Sequence, residues 1–181
     1  VVNTIEEDVD FNKSGDRHLF NDIYEKILAD LQSAGNAGEY YTPRAVTRFM
    51  VDMLDPRLGQ TILDPACGTG GFLTCAIEHL NKQVKTADDR RQLQESIHGV
   101  DKKPLPHMLA MTNMMLHGID VPANVRHDNT LSRPLKDYGP RDRVDLIITN
   151  PPFGGMEEDG IENNFPRKYQ TRETADLFMA L

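Results

Sequence analysis

Four consecutive residues could do chemistry on a flat, amine-bearing group: Asn150, Pro151, Pro152 and Phe153. They directly follow an apolar run over 144–149 that predicts a buried strand. Asn150 offers a side-chain carbonyl as an acceptor, and Pro151 has no N–H that would compete for it. Pro152 restrains the backbone so that carbonyls point outward, and Phe153 offers a flat face for stacking. The pattern predicts a rigid cradle for a planar amine.

A glycine loop further upstream indicates what the cradle works with. Residues 64–72 read Asp-Pro-Ala-Cys-Gly-Thr-Gly-Gly-Phe, and such glycines let the backbone approach a ligand closely. Leu73 stands where a dinucleotide fingerprint needs a small residue, and the Gly-Lys pair of a triphosphate loop is missing. Asp64 would repel a phosphate but attract a cation, which favours S-adenosylmethionine with its ammonium and sulfonium groups. The alternative is a plain strand–turn–helix unit with packing glycines.

The elements that must position these residues alternate along the chain. Apolar patterns predict strands over 60–64, 96–101, 125–128 and 143–149, and helices over 71–82 and 104–117. This alternation is typical of an α/β fold with a doubly wound, mostly parallel sheet. Ligands of such sheets collect at the carboxyl ends of the strands, where Asp64, Asp101, Asp128 and Asn150 all fall. Asp101 is expected to accept hydrogen bonds from ribose hydroxyls.

Further helices are predicted outside this alternation of strands and helices. Residues 16–33 predict an amphipathic helix, 33–38 a linker-like break, and 83–94 a solvated turn or helix. Another helix is expected from Pro43 to near 55–56, with Thr42 as its N-cap. Its apolar face would carry Val46, Phe49, Met50, Met53 and Leu54. In the helix over 104–117 we expect these side chains to point inward: Leu105, Met108, Leu109, Thr112, Met115 and Leu116.

The net charge of −8 is unevenly distributed. Residues 1–38 carry eight acidic and three basic side chains, 39–150 carry fourteen of each, and 151–181 carry six and three. Proteins that bind nucleic acid alone normally have a basic footprint. If the substrate is DNA, another subunit or domain must therefore neutralise much of the phosphate charge.

Cysteine content and hydropathy bear on the cellular compartment in which the protein is expected. Cys67 and Cys75 are the two cysteines and form no CxxC pair, which argues against a disulfide framework or a zinc site and favours the cytoplasm. No apolar run approaches the roughly 20 residues of a membrane span. We expect no membrane partner and no bound metal.

Taken together, the glycine loop, the acid after the second strand and the cradle resemble the amino-methyltransferases that use S-adenosylmethionine, which have a Rossmann-like fold. Residues 38–44, Gly-Glu-Tyr-Tyr-Thr-Pro-Arg, resemble the extra cofactor motif of adenine-N6 DNA methyltransferases, in the form found in modification subunits of type I restriction-modification systems. The resemblance extends over about residues 10–181. The cofactor-binding residues that motifs and resemblance together imply are Glu39, Tyr40, Tyr41, Thr42, Pro43, Arg44, Asp64, Pro65, Ala66, Gly68, Thr69, Gly70, Gly71, Asp101 and Asp128.

The resemblance also implies a mechanism. The Asn150 side-chain carbonyl and the Pro151 backbone carbonyl would accept the two N–H bonds of the adenine amine, so that its lone pair points at the sulfonium methyl. Pro152 would complete the catalytic set, and Phe153 would stack on a base flipped from the duplex. Asp128 would accept from the adenine N6 of the cofactor.

Type I resemblance further implies partners: DNA reached through a specificity subunit, the specificity and restriction subunits themselves, and a second modification subunit. Residues 1–38 would be the end of a helical N-terminal region, and 39–181 the N-terminal part of a catalytic domain, truncated after the fourth strand and the start of the next helix. The long segment 154–172 is expected to be a lid beside the site, with 157–159 as a solvated acidic loop.

Two alternatives stay open. One is an amino-methyltransferase acting on guanine N2 in RNA, on cytosine N4 or on a protein glutamine. The other is a non-catalytic assembly module that keeps the fold to bind a partner.

Overall fold

In the computed structural model, the described residues are Tyr24 and 42–181. The helix predicted over 16–33, the break over 33–38 and the proposed cofactor residues Glu39, Tyr40 and Tyr41 lie outside this described part, apart from Tyr24. Residues 42–181 belong to a single compact unit.

The sheet confirms the predicted fold class. Its four strands are β1 (Ile62–Asp64), β2 (Ile97–Asp101), β3 (Val125–His127) and β4 (Leu146–Ile147). All pairs are parallel, and the order is β3-β2-β1-β4. The chain therefore steps outward from β1 to β3 and then crosses to the other side of β1. This reversal between β1 and β4 is the switch point at which open α/β sheets bind ligands.

Five helices accompany the sheet in the described part. They are α1 (Arg44–Leu54), α2 (Gly71–Asn81), α3 (Ala87–Ser96), α4 (Pro104–Leu116) and α5 (Thr174–Met179). The ambiguous stretch 83–94 contains most of α3, because Thr86 and Asp89 form a reciprocal capping box at its start. Within residues 42–181 none of these helices combines the length and apolarity needed to cross a bilayer.

The expectations for α1 were wrong in two respects. Pro43 is its N-cap and makes no side-chain cap, so Thr42 is not the capping residue. The helix turns Thr47 and Val51 inward, whereas most of the predicted apolar face is exposed. The exposed members are Val46, Phe49, Met53 and Leu54.

The inward face of α4 also differs from the prediction. Leu105, Met108 and Met115 are exposed by 55%, 57% and 48%. Ala110, Asn113 and Met114 are buried instead. These three residues lie on the face that packs against the glycine loop, where Ala110 and Met114 adjoin Gly70 and Asn113 Nδ2 donates to Thr69 O.

Two apolar clusters hold the unit together. The larger lies between the sheet and the helices and includes Ile62, Phe72, Leu73, Ile77, Leu80, Leu93, Ile97 and Met114. The smaller consists of Leu131, Phe165 and Leu177. It anchors the segment that follows the cradle to the chain after β3 and to α5, so the stretch expected to be a lid has a core of its own.

Candidate active site

The glycine loop connects the end of β1 to the start of α2. Gly68 and Gly70 have φ angles of +55° and +84°, which glycine adopts without the steric cost of a side chain. A Cβ on Gly70 would lie 2.9 Å from Met114 Cε and 3.5 Å from Ala110 Cβ, so a side chain there would displace the Met114 methyl and would also be strained by the positive φ. A Cβ on Gly68 would meet nothing within 4 Å. Open space for a ligand therefore lies at Gly68, while the loop is closed toward the core at Gly70.

Asp101, at the end of β2, is bound to this loop through its carboxylate. Oδ2 accepts a hydrogen bond from Gly68 N at 2.8 Å, and Oδ1 accepts one from Lys103 N at 2.7 Å. Cys67 N also donates to Val100 O at 2.9 Å, which aligns the loop with β2. A carboxylate has about four acceptor sites, so these two bonds are compatible with further ribose hydroxyl donors.

Asp64, at the end of β1, is almost fully buried, with 1% exposure. Its Oδ1 accepts a hydrogen bond from Ala66 N at 3.1 Å. Burial raises the pKa of Asp64 to about 7, and the negative charge of Asp101 contributes to the rise. A buried carboxyl in this state gains most from a cationic ligand, because a nearby positive charge restores its ionised form.

Asp128 follows β3 and lies next to Asp101 at the same sheet edge. Its backbone N donates to Asp101 O at 3.0 Å, which extends the β2–β3 pairing by one step. Its side chain is exposed, and Oδ1 accepts from Asn129 N at 2.8 Å. The three acids predicted at strand ends are thus brought to one edge in the order of the strands.

The backbone carbonyls of the loop are also fixed from outside it. Pro65 O accepts from Thr130 Oγ1 at 2.7 Å, and Thr69 O accepts from Asn113 Nδ2 at 3.0 Å. Cys67 is buried, and burial together with the charge of Asp64 raises the pKa of its thiol, which suits a packing residue better than a nucleophile. The sequence did not single out Thr130 for this role.

The cradle begins where β4 ends beside β1. Ile148 N donates to Leu63 O at 3.0 Å, so the chain enters the cradle parallel to β1. Two residues later, Asn150 Nδ2 donates to Thr42 Oγ1 at 3.0 Å across a sequence separation of 108 residues. This bond uses the amide nitrogen of Asn150 and leaves its carbonyl oxygen as the group available to accept from an amine.

Exposure increases along the cradle. Asn150 and Pro151 are half-buried, Pro152 is exposed, and the Phe153 side chain is 52% exposed. Gly154 follows with a φ of +75°, which turns the chain away. The aromatic ring is therefore accessible at the rim of the site.

The motif at 42–44 makes contacts mainly with protein. Arg44 bonds Thr74 Oγ1, and its Nη2 lies 2.6 Å from Glu78 Oε1. The imidazole of His117, whose Nε2 lies 3.5 Å from Glu78 Oε1, and the guanidinium of Arg44 lower the pKa of Glu78 to about 2 against the opposing effect of burial, so Glu78 is charged at neutral pH. Arg44 thus joins α1 to α2, and its place among the cofactor residues stays a prediction.

Pro43 and Gly71 are both tied to helix starts. Pro43 O accepts from Val46 N at 2.8 Å and from Thr47 N at 3.1 Å. Gly71 is the first residue of α2, and its carbonyl accepts from Arg44 Nη1 at 3.4 Å. These contacts bring the 42–44 motif and the glycine loop together.

The acidic run after the cradle is only in part the solvated loop that its composition predicts. Glu157 is buried, with 6% exposure, whereas Glu158 and Asp159 are exposed. Lys102 offsets the charge of Glu157 and Asn129 donates a hydrogen bond to the same oxygen. Sequence reasoning did not associate either residue with the site. A single acid inside an acidic run has no periodicity that would distinguish it from its neighbours.

Comparison with known proteins identifies the family to which the chain belongs. The family model for N-6 DNA methylases matches residues 15–179. The methylase subunit of the type I restriction enzyme EcoEI from Escherichia coli is 64% identical over 182 residues, which span 100% of this chain and 36% of that protein. The crystal structure of a modification subunit of a putative type I restriction enzyme from Vibrio vulnificus superposes with a TM-score of 0.85 at 50% identity. It covers 95% of this chain and 36% of that one.

A more distant structure shows how general the fold is. A putative class I S-adenosylmethionine-dependent methyltransferase from Listeria monocytogenes has a TM-score of 0.70 at 22% identity, covering 96% of this chain and 51% of that one. The chain thus has the fold of these enzymes, and it spans about a third of the length of the type I subunits that it matches.

Proposed function

Because this chain belongs to the N-6 DNA methylase family, we propose that it transfers a methyl group from S-adenosylmethionine to the N6 amino group of adenine in DNA. We further propose that it does so within a longer modification subunit of a type I restriction-modification system. Residues 39–181 would then be the N-terminal part of the catalytic domain, and 1–38 the end of a helical region before it. The 64% identity to the EcoEI methylase subunit supports this assignment.

The observation that carries the proposal is the side-chain bond between Asn150 and Thr42. It joins the cradle to the 38–44 motif, and it leaves the Asn150 carbonyl oxygen to accept from an amine. A weakly nucleophilic exocyclic amine gains from two well-placed acceptors, here Asn150 Oδ1 and the Pro151 carbonyl, because they favour rehybridisation of its nitrogen and stabilise developing positive charge. Pro152 restrains the backbone that presents these acceptors.

The glycine loop would bind the methyl donor. When bound, S-adenosylmethionine supplies an electrophilic methyl group on a positively charged sulfur. Asp64 would attract the positive charge of its methionine end, and Asp101 and Asp128 would accept from its ribose and adenine. The open space at Gly68 supports this use, since it lies directly beside the backbone that Asp101 orients.

Phe153 would take part on the target side. Its 52% exposure suits stacking on a base that has been flipped from the duplex. The acidic balance of the chain implies that phosphate contacts come from elsewhere, so we propose that DNA is reached through a specificity subunit, in an assembly with a restriction subunit and a second modification subunit. A cytoplasmic location fits two buried free cysteines.

One experiment tests this proposal against the alternatives. The full-length protein is mixed with its specificity subunit, labelled S-adenosylmethionine and genomic DNA, and the digested nucleosides are separated. Label in N6-methyladenine is expected. Label in N4-methylcytosine, in RNA or in protein would show that the substrate is not adenine in DNA. Cofactor binding without any transfer would favour an assembly module.

A further inference from the structure

Glu157 is a buried charge with three side-chain donors. Lys102 Nζ donates to its Oε2 at 3.0 Å, Asn129 Nδ2 to the same oxygen at 3.1 Å, and Thr174 Oγ1 to Oε1 at 3.1 Å. Burial alone would raise the pKa of Glu157, but these hydrogen bonds outweigh it and lower the pKa. The residue is therefore a carboxylate at neutral pH, and a buried carboxylate is retained only where its partners are well placed.

Hydrogen bonds of the backbone around Glu157 join the two ends of the segment that follows the cradle. Glu157 N donates to Arg172 O at 2.9 Å, and Arg172 Nη2 returns a bond to Glu157 O at 2.9 Å. Met156 and Glu173 form an antiparallel bridge, and Thr174 N donates to Gly155 O at 3.0 Å. Both ends of the segment 155–174 therefore meet at Glu157.

Two of the three donors to Glu157 come from the proposed cofactor side of the site. Lys102 directly follows Asp101, and Asn129 directly follows Asp128. The ends of β2 and β3 are themselves bonded, since Asp128 N donates to Asp101 O at 3.0 Å. One carboxylate thus contacts the residues next to both acids that are expected to accept from the cofactor.

Glu157 also lies close to the cradle in sequence. It follows Phe153 by four residues, with two glycines between them, and Gly154 has a φ of +75°. The backbone of Gly155 and Met156 is paired with α5 and the residue before it, and Glu157 is the first residue after Phe153 whose side chain is bonded to the ends of β2 and β3. A shift of Lys102 or Asn129 would be transmitted to the cradle through this short connection.

We propose that Glu157 is a positioning residue that couples cofactor binding to the placement of the target-base cradle. It acts through its bonds to Lys102 and Asn129 and touches neither reacting group. The proposal deepens the proposed function and rests on it for the identity of the two ligands. It predicts that S-adenosylmethionine and target DNA bind more tightly together than separately, and that this coupling depends on Glu157.

The chain offers a matched control. Glu158 is the neighbouring glutamate, its Oε1 lies 3.4 Å from the same Lys102 Nζ, and its side chain is 77% exposed. The same substitution at the two positions changes charge equally, but only Glu157→Gln alters the buried bonds. If the loss of one negative charge alone reduced the coupling, both variants would show the reduction.

The test uses the full-length protein with its specificity subunit. The dissociation constant of an S-adenosylmethionine analogue without a transferable methyl group is measured by calorimetry without DNA and with a saturating target duplex, so that no transfer occurs during the titration. In the wild type and in Glu158→Gln we expect DNA to tighten cofactor binding about tenfold, a usual size of coupling between sites. In Glu157→Gln we expect the two constants to agree within about twofold, with cofactor affinity in the absence of DNA unchanged. The proposal is overturned if Glu157→Gln keeps the tenfold ratio between the two dissociation constants. It is also overturned if DNA does not tighten cofactor binding in the wild type.

A second measurement needs neither DNA nor turnover. Hydrogen exchange over 154–174 is followed with and without S-adenosylmethionine, and the cofactor is expected to slow it in the wild type but not in Glu157→Gln. A wild type that shows no slowing contradicts the coupling. If instead Glu157→Gln merely loosens the fold, exchange rises in the main core as well. The double variant Lys102→Met/Glu157→Gln, which removes the ammonium that has lost its buried partner and keeps only Glu158, should then restore the slowing. That outcome also overturns the proposal. A wild type that couples its ligands but leaves adenine unmethylated would refute the proposed function and keep the role of Glu157.

Discussion

The two halves of the candidate site are built in different ways. On the cofactor side, Asp64 is buried and the carboxylate of Asp101 accepts a backbone N–H from the glycine loop. On the target side, Asn150 is held by a side-chain bond to Thr42, and Phe153 is half exposed. The first half is made by adjacent strand ends and the loop between them. The second depends on a few side chains that come from distant parts of the chain.

This difference predicts how each half fails. A change on the proposed cofactor side should alter cofactor affinity, and at a buried position such as Asp64 it should also alter the stability of the fold. A change on the target side should reduce methyl transfer while leaving the fold and cofactor affinity unaltered. Substitutions at single positions test whether the two halves are separable in this way.

Replacing Asn150 tests the target side most severely. Asn150→Ala removes the side-chain acceptor of the amine, and we expect transfer to fall by about 10³-fold, as for loss of a preorganised polar group in other sites. Cofactor affinity should stay unchanged in calorimetry. Asn163→Ala, at an exposed asparagine, is the control. Cofactor affinity lost in parallel with activity would contradict the division.

A pair of glycines compares the two halves directly. Gly68 and Gly154 both have positive φ, at +55° and +75°, and a Cβ on either meets nothing within 4 Å. Alanine therefore adds similar backbone strain at both. Gly68→Ala is expected to weaken cofactor binding about 50-fold by filling the ligand space, whereas Gly154→Ala should leave it unchanged. If Gly68→Ala and Gly154→Ala change the cofactor dissociation constant equally, backbone strain alone accounts for the loss of affinity.

Asp64 should make cofactor binding depend on pH. Its pKa is raised from 3.8 to about 7 in the folded protein, so between these values the folded state holds a proton that the unfolded state has lost. The stability of the ligand-free protein therefore falls as pH rises through this window. A cationic ligand prefers the carboxylate, so affinity should weaken below about pH 7 by up to about tenfold per unit.

The variant Asp64→Asn should separate these effects. We expect it to weaken cofactor binding about 20-fold at pH 7.5, the value of a charged hydrogen bond, and to abolish the pH dependence. It should also raise the melting temperature of the ligand-free protein at pH 8, because no charge is buried. Asp120→Asn, at an exposed aspartate, should change neither. A lower melting temperature of Asp64→Asn would show that the carboxylate is stabilised in the ligand-free state.

The positions of the strand-end acids in the proposed cofactor half could be predicted from the sequence, whereas their binding roles stay a prediction. Strand ends and glycines leave local signals, so the amino-acid pattern alone is enough to assign Asp64, Asp101 and Asp128 to one sheet edge. The fold brings them there. The close approach of the Met114 side chain to Gly70, by contrast, is set by how α4 packs against the loop, and no local sequence pattern indicates it.

The misassigned residues show what local patterns lack. Thr42 fits an N-cap by residue type, but its hydroxyl accepts from Asn150 instead. Glu157 resembles its solvated neighbours, but its three donors come from elsewhere in the chain. Leu105 and Met108 have helical spacing, but the face that α4 turns inward is set by the glycine loop. Each error arises from a tertiary contact that overrides a local preference.

Removing the aromatic ring of the cradle should have a moderate effect. Phe153→Ala is expected to weaken binding of a flipped base about tenfold, within the usual range for aromatic–base stacking. The fluorescence of 2-aminopurine at the target position measures this. Phe49→Ala is the control, because Phe49 is 64% exposed on α1 and lies outside the cradle. An unchanged 2-aminopurine signal in Phe153→Ala would remove the stacking role.

The smallest effect should come from Thr42, and it decides to which half this residue belongs. Thr42→Val keeps the shape and removes the hydroxyl, so Asn150 loses a neutral hydrogen bond and transfer should fall about fivefold. Thr42→Ser should restore it. If Thr42 acts through Asn150, adding Thr42→Val to Asn150→Ala costs nothing further, because the bond is already absent. If it contacts the methionine end of the cofactor instead, Thr42→Val weakens cofactor binding equally in both backgrounds. That second result would move the boundary between the two halves to include Thr42 on the cofactor side.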